Sequence, residues 1–97
     1  MSDLLDDAAI ADALRSLDGW TYRDGALHKT YDRGGFDGSI AFVNAVAQAA
    51  NRANHHPDLA ISWNTVDVTL SSHDSGGVTP RDTALAAQID TLANPPA

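Results

Sequence analysis

The chain has 97 residues and a formal charge of -7, because 13 acidic side chains outnumber 6 lysine and arginine side chains. This length supports one small domain with one modest core, and the charge argues against direct binding to nucleic acid or to an anionic membrane. The chain has no cysteine, which excludes disulfide scaffolds, thiolate nucleophiles and cysteine-based metal sites.

The first segment predicts a short amphipathic helix. Ser2 or Asp3 is suited to cap it, and acidic residues crowd its first turn. We expect the helix over about Leu4–Leu17, because one helical face carries Ile10, Leu14 and Leu17. Gly19 then ends the helix.

The next residues alternate between apolar and polar, and they predict a β-hairpin. Trp20 and Tyr22 lead up to Asp24-Gly25, a pair that is typical of a type I′ turn. The alternation continues on the return strand at Leu27, Lys29 and Tyr31.

A break at Gly34-Gly35 is followed by the longest helical pattern of the chain, which extends to about Ala53. Its apolar face comprises Phe36, Ile40, Val43, Ala47 and Ala50, with Phe42 and Val46 beside it. We therefore expect a central helix that packs on the sheet through this face.

Two more strands follow the central helix. Pro57 ends any helical continuation, and the period-two pattern of a third strand lies at Leu59, Ile61 and Trp63. Asn64-Thr65 is the predicted turn into a fourth strand at Val66, Val68 and Leu70. His73 continues the alternating polar positions of that strand, so we expect its side chain on the side away from the core.

A last helix follows a glycine-rich loop at 74–78. Thr79 is the predicted cap, Pro80 occupies the first helical position and Asp82 the third. The apolar face of this helix comprises Leu85, Ile89 and Leu92.

The element order α-β-β-α-β-β-α, with short turns, indicates an α+β fold. We expect a four-stranded antiparallel sheet with three helices packed on one face. Without a repeat or a long linker, residues 1–97 are interpreted as a single domain. The uncovered face of the sheet is polar enough to contact water or a partner.

Histidines are the chemical feature of this sequence. His55 and His56 precede Pro57, His73 follows, and Asp82 comes nine residues later. Pro57 favours an extended backbone at His56, so the two adjacent imidazoles should diverge. Imidazole gives and takes protons near neutral pH, which makes the cluster suited to acid-base chemistry without a metal.

Simpler interpretations stay open at this point. A histidine pair at a helix end can interact with the last carbonyl groups and the negative end of the helix dipole. Asp82 can serve only as a capping-box residue, and Trp63 as a core or interface residue on parity grounds. A zinc site is disfavoured, because adjacent histidines chelate poorly and the usual paired-ligand spacing on a helix is absent.

The spacing resembles a known signature. His55-His56-Pro57, five residues, Trp63, nine residues, His73, eight residues and Asp82 is similar to the motif of the pterin-4a-carbinolamine dehydratase family, also called the dimerisation-cofactor family. The resemblance covers about Leu17–Leu92, and further matching residues are Trp20, Phe36, Phe42, Asn54, Val66, Leu70, Gly77, Val78, Thr79, Leu85 and Ala86. It implies the same α+β fold.

The resemblance also implies an activity. Family members dehydrate 4a-hydroxytetrahydropterin, the product of aromatic amino acid hydroxylases, to quinonoid dihydropterin. His55, His56 and His73 would surround the pterin, with His56 as the base toward N5 and His55 or His73 as the acid toward the hydroxyl. No metal or redox cofactor is implied.

Four other positions are implied to contact or support the substrate. Trp63 would offer a flat wall to the pterin ring, and Pro57 would fix the loop that presents the histidines. Asp82 would orient His73 while it caps its helix. The family usually has a charged residue, most often Glu, where this chain has Asn51, one helical turn before His55.

The expected partners are a small pterin substrate and further copies of this chain, as a homodimer or homotetramer. A non-catalytic, dehydratase-like scaffold or protein-binding partner is the alternative, because some family members stabilise dimers of a homeodomain transcription factor. We expect a cytoplasmic protein, since the amino terminus is acidic and no apolar run is long enough to cross a bilayer.

Composition suggests one feature of the host. All 13 acidic residues are Asp, and Lys29 is the only lysine. Such an acidic surface is strongly hydrated and self-repelling, and it suits a halophile with a salt-rich cytoplasm that screens the repulsion. Compositional drift of the genome is the alternative explanation.

Overall fold

The computed structural model describes residues 3–94. Its elements are α1 (Asp7–Leu14), β1 (Thr21–Arg23), β2 (Ala26–Asp32), α2 (Phe36–Ala53), β3 (Asp58–Ser62), β4 (Thr65–Leu70) and α3 (Pro80–Ala93). The strands form one antiparallel sheet in the order β1-β2-β4-β3. This confirms the predicted α+β class and the element order.

The helices cover one face of the sheet. The residues of β2 and β4 that point toward the helices are buried, among them Leu27, Tyr31, Val66, Val68 and Leu70. Residues of the opposite parity, such as Thr30 and Asp67, are exposed. Within residues 3–94, no helix is long and apolar enough to span a membrane.

The hairpin between β1 and β2 has the predicted turn. Arg23 pairs with Ala26, so Asp24 and Gly25 alone connect the strands. Both have positive φ angles, 53° and 75°, as a type I′ turn requires.

Helix α1 is shorter than predicted at both ends. Its cap is Asp6, whose side chain accepts the backbone N–H of Ala9 at 2.8 Å, rather than Asp3; Ser2 lies outside the described residues. The segment before it is not helical, and the N–H of Leu5 donates to the carbonyl of Val78 at 2.9 Å. This long-range hydrogen bond competes with a helical start at Leu4.

Helix α2 has nearly the predicted bounds, but a different face is buried. The buried residues are Ser39, Phe42, Val46, Ala49 and Ala50, whereas Phe36 is 53% exposed and Ala47 is exposed as well. More than half of the circumference of this helix is apolar, so periodicity alone does not determine which part packs on the sheet. Ser39 is buried with its hydroxyl within hydrogen-bond distance of two carbonyl oxygens, those of Gly35 at 3.0 Å and Trp63 at 2.8 Å.

The turn between β3 and β4 is shifted by one residue from the prediction. Ser62 pairs with Thr65, so the turn consists of Trp63 and Asn64 rather than Asn64 and Thr65. Trp63 has a φ of 47° and is 70% exposed, which rules out the core interpretation of its side chain. The sheet ends at β3, and this edge strand is exposed along most of its length.

Candidate active site

The end of helix α2 positions the two adjacent histidines. Asn54 is in the left-handed conformation at φ 50°, and its N–H donates to the carbonyl groups of Ala50 and Asn51. The N–H of His55 donates to the carbonyl of Ala50 at 3.1 Å, which closes the helix end. The backbone leaves the helix extended, and His55 is buried whereas His56 is exposed. The two imidazoles diverge, as predicted.

His55 is held by a buried carboxylate. Its Nε2 lies 2.5 Å from Oδ1 of Asp82, which is completely buried at the amino-terminal end of α3. The other oxygen of Asp82 accepts the hydroxyl of Ser72 at 2.8 Å and the N–H of Thr79 at 2.9 Å. Asp82 therefore completes the predicted capping box and orients an imidazole with the same side chain.

The partner of Asp82 differs from the expectation. The resemblance implied that Asp82 orients His73, but both of its oxygens are directed to His55, Ser72 and Thr79. His73 is exposed in the turn between Ser72 and Gly77, two residues that are joined by an isolated β-bridge. The physical reason is that the exposed turn directs His73 outward, while the buried end of α2 faces the start of α3.

His56 contacts Asn51. Its Nε2 lies 3.0 Å from Oδ1 of Asn51, which lies five residues earlier in the last turn of α2. An amide oxygen only accepts hydrogen bonds, so in this pair Nε2 of His56 carries the hydrogen. In the neutral ring Nδ1 then has the free lone pair.

An ion pair fixes the turn that carries His73. The guanidinium of Arg81, in the first turn of α3, donates to both carboxylate oxygens of Asp74, at 3.0 and 3.3 Å, and to the hydroxyl of Ser75. These hydrogen bonds and the charge of Arg81 hold the pKa of Asp74 below its usual value of 3.8. The same pair raises the pKa of Arg81. Asp74 is therefore a carboxylate throughout the neutral pH range.

These elements enclose one open pocket of about 300 Å³. It is lined by Asn54, His55, His56, Ser71, His73, Asp74 and Arg81. The three histidines predicted as acid-base groups thus meet at a single surface, with one imidazole buried and two exposed.

Trp63 is not brought to this pocket within one chain. Strand β3 runs away from the histidines, and Trp63 follows its far end, about 16 Å beyond Asp58 at the usual rise of a strand. Pro57, by contrast, directly follows the histidine pair and is partly buried where the chain enters β3. Its position agrees with a role in fixing that loop.

A larger depression, of about 420 Å³, lies on the open face of the sheet. Its only imidazole, His28, has both ring nitrogens in hydrogen bonds: Nε2 with the carbonyl of Arg23 and Nδ1 with the hydroxyl of Thr69, each at 3.2 Å. No ring nitrogen of His28 is left for proton transfer. The smaller pocket is therefore the candidate active site.

Three supporting residues were not found from the sequence. Asp74 and Arg81 line the pocket, and Ser72 binds the carboxylate that holds His55. Their spacing carries no motif, and the alternation that predicted His73 does not apply to Ser72 and Asp74, which have the opposite parity. Within residues 3–94, no group of three or more His, Asp, Glu or Cys side chains is arranged to hold a metal ion.

Comparison with known proteins identifies the family. The family model described as pterin 4 alpha carbinolamine dehydratase matches residues 3–92. This chain belongs to that family. A protein from Nocardia farcinica, named as a candidate pterin-4-alpha-carbinolamine dehydratase, is 49% identical over 92 residues, which cover 95% of this chain and 97% of that protein. One from Roseiflexus castenholzii, with the same name, is 47% identical over 95% of this chain and 99% of its own length.

Solved structures of family members have the same fold. A transcriptional coactivator/pterin dehydratase from Brucella melitensis superposes with a TM-score of 0.89 at 33% identity, over 93% of this chain and 98% of that one. A pterin dehydratase-like protein, identified as a RuBisCO assembly factor in the alpha-carboxysome, superposes with a TM-score of 0.64 at 25% identity, over 77% of this chain and 87% of that one. The names of these two similar proteins thus include roles other than catalysis.

Proposed function

We propose that this protein is a hydro-lyase that dehydrates 4a-hydroxytetrahydropterin to quinonoid dihydropterin and water. In this role it would recycle the pterin cofactor of aromatic amino acid hydroxylases. The observation that carries the proposal is the convergence of His55, His56 and His73 on one pocket, each in a different environment. Membership of the dehydratase family supports the same reaction.

The reaction requires two proton transfers. A proton is delivered to the C4a hydroxyl, the C4a–O bond breaks and water leaves. A second proton is removed from N5, whose electron pair forms the C4a=N5 double bond. No oxidation state changes, so the proposed mechanism includes no redox cofactor and no metal, and positioned imidazoles are suited to both transfers.

His56 is the proposed base toward N5. The hydrogen bond to Asn51 places the hydrogen of the neutral ring on Nε2, which leaves Nδ1 as the proton acceptor. His56 is exposed and lines the pocket, so this nitrogen is within reach of a bound ligand. Asn51 therefore orients the His56 ring through a hydrogen bond, without the negative charge that a Glu would add.

His55 or His73 is the proposed acid toward the hydroxyl. With Nε2 of His55 bound to Asp82, a protonated ring would donate from Nδ1, and the hydrogen remaining on Nε2 would stay bound to the carboxylate. His73 lies in the exposed turn on the other side of the same pocket. Both rings are compatible with the acid role.

Asp74 is a further candidate for substrate binding. The pterin ring has two adjacent donors, the N3–H and the 2-amino group, which match the two oxygens of a carboxylate. Asp74 is ionised, exposed and in the pocket, and the ion pair with Arg81 holds its side chain in place. Each carboxylate oxygen can accept a second hydrogen bond, so the ion pair and the substrate can share Asp74.

The decisive experiment is stopped-flow ultraviolet spectroscopy of carbinolamine decay with and without the protein. His56→Ala and His73→Ala should each lower the rate by about a hundredfold or more, the range for positioned acids and bases. His28→Ala is the matched control, because His28 lies on the open face of the sheet with both nitrogens engaged. Native rates in both pocket variants would refute the mechanism.

Absence of any acceleration by the native protein would instead favour the non-catalytic scaffold. The relative that is named as a RuBisCO assembly factor is a precedent for such a protein within this fold. We further propose a cytoplasmic homodimer or homotetramer. The exposed edge strand β3 and the exposed apolar side chains Phe36, Ile61 and Trp63 support self-association.

A further inference from the structure

A buried hydroxyl lies behind the candidate active site and takes part in neither proposed proton transfer. Ser72 is 1% exposed, and its Oγ is 2.8 Å from Oδ2 of Asp82 and 2.8 Å from Oγ1 of Thr79. The other oxygen of Asp82 holds Nε2 of His55. Ser72 is therefore one hydrogen bond removed from an imidazole of the pocket.

The direction of each hydrogen bond among Asp82, Ser72 and Thr79 can be assigned. A carboxylate only accepts, so the single hydroxyl hydrogen of Ser72 is donated to Asp82. The hydrogen between the two hydroxyls must then come from Thr79. Oγ1 of Thr79 in turn accepts the backbone N–H of Arg81 at 3.2 Å. Each hydrogen bond in this series is thus donated in the direction of Asp82.

This arrangement determines how Asp82 meets His55. Two donors, from Ser72 and from the backbone of Thr79, occupy Oδ2, and Oδ1 is the oxygen that accepts from Nε2 of His55. Nδ1 is then the nitrogen that remains for a ligand in the pocket. The capping box of α3 is complete without the Ser72 hydroxyl, so the helix cap does not explain this side chain.

We propose that Ser72 is a positioning residue of the active site, which fixes the orientation of the Asp82 carboxylate and, through it, of the His55 ring. The catalytic meaning of this assignment rests on the proposed function. The His55 ring signals can be measured without substrate, so failure of the positioning role is distinguishable from failure of the proposed function.

The test compares the native protein with Ser72→Ala by ¹⁵N NMR of the histidine rings and by steady-state kinetics. In the native protein we expect His55 to carry its hydrogen on Nε2, with slow exchange of that hydrogen with solvent. In Ser72→Ala we expect the hydrogen to stay on Nε2, because Asp82 still accepts it, but to exchange at least tenfold faster and with shifted ring signals, because the carboxylate is held less firmly. The same variant should lower kcat about threefold to tenfold and change KM less than twofold, because the loss concerns ring geometry rather than binding.

Two further variants separate positioning from stability. Ser39→Ala removes another completely buried hydroxyl, one that lies at the carbonyls of Trp63 and Gly35 and not in the pocket. It should keep the native His55 signals and kcat. Ser72→Cys keeps the volume with a weaker donor, so it should give an intermediate result even where Ser72→Ala fails to fold.

Native His55 ring signals in Ser72→Ala, or in Ser72→Cys where the alanine variant does not fold, would overturn the assignment. Changed His55 ring signals with an unchanged kcat would overturn its catalytic meaning. If the native protein does not accelerate carbinolamine decay, the proposed function fails, and the ring signals alone decide whether Ser72 positions the His55 ring.

Discussion

Asp82→Asn is expected to reverse the hydrogen position on His55 while it preserves the shape of the buried side chain. One oxygen of Asp82 accepts two donors, from Ser72 and Thr79, and the other accepts from His55. An amide nitrogen cannot accept, so the amide of Asn must present its oxygen to the two donors and its NH₂ to the ring. Nε2 of His55 must then accept, and the neutral ring carries its hydrogen on Nδ1.

The reversed ring cannot serve as the proposed acid. A protonated His55 would direct an N–H at the amide NH₂, and a neutral ring would have to donate from Nδ1 and become an imidazolate. Positioned acids contribute about a hundred to ten thousandfold, and because His73 can replace part of this function we expect a loss in kcat of about a hundredfold. The stability cost should be only about 1 kcal/mol, since an amide oxygen still accepts the cap hydrogen bonds. For a domain of this size that lowers Tm by about 4–8 °C.

The assay combines stopped-flow kinetics with thermal unfolding and ¹⁵N NMR of the rings. Asp90→Asn is the matched control. Asp90 is a partly buried carboxylate that, like Asp82, accepts three donors, but these are Trp20, Lys29 and Tyr31, which lie outside the pocket. This control should lose stability and keep kcat. If Asp82→Asn keeps the hydrogen of His55 on Nε2, the hydrogen-bond argument is refuted; if it moves the hydrogen but keeps native kcat, the acid role of His55 is refuted.

Three more predictions concern other parts of the molecule. Burial, and then the hydrogen bond to Asp90, raise the pKa of Tyr31 well above its ordinary value of 10.0. The neutral phenol therefore stabilises the fold fully below pH 10, and this contribution is lost as the pH rises further. The free energy of unfolding measured with urea should fall more steeply above pH 10 for the native protein than for Tyr31→Phe, by up to about 1.4 kcal/mol per pH unit. Equal slopes would contradict this. Asp74→Asn should raise KM for the pterin about threefold to tenfold with little change in kcat, measured by steady-state kinetics, and an unchanged KM would remove Asp74 from substrate binding. Trp63→Ser should dissociate the proposed oligomer in light scattering, whereas a native monomer at micromolar concentration would refute self-association.

The parts of the fold that were predicted correctly depend on local interactions. The Asp24-Gly25 turn requires two residues with positive φ, and the helix start at Thr79 requires a hydroxyl, a proline and an acidic residue at fixed offsets. Such signals are complete within a few residues of sequence. Period-two alternation then sufficed for the number and order of the strands.

The features that were predicted wrongly depend on contacts between distant residues. Helix α2 is apolar around much of its surface, and only packing against the sheet selects the face at Phe42 and Val46 rather than the one at Phe36. In the same way, His73 is nearer to Asp82 in the sequence than His55 is. The helix ends nevertheless place His55 against the carboxylate, although 27 positions separate the two residues. The convergence of three histidines was implied by resemblance, and the choice of Asp82 as the partner of His55 required the structure.

The position of Asp82 links folding to the proposed chemistry. The same carboxylate accepts the N–H of the cap residue Thr79 and holds His55, so the start of α3 and the orientation of the ring form together. Replacement by Ala would remove the cap hydrogen bond and the ring contact at once, and a loss of activity could then follow from either cause. Asn separates the two causes, because its amide oxygen still accepts the hydrogen bonds of the helix cap while its amide nitrogen reverses the hydrogen bond to the His55 ring. For this reason the amide variant, and not the truncation, tests whether the carboxylate acts on the chemistry.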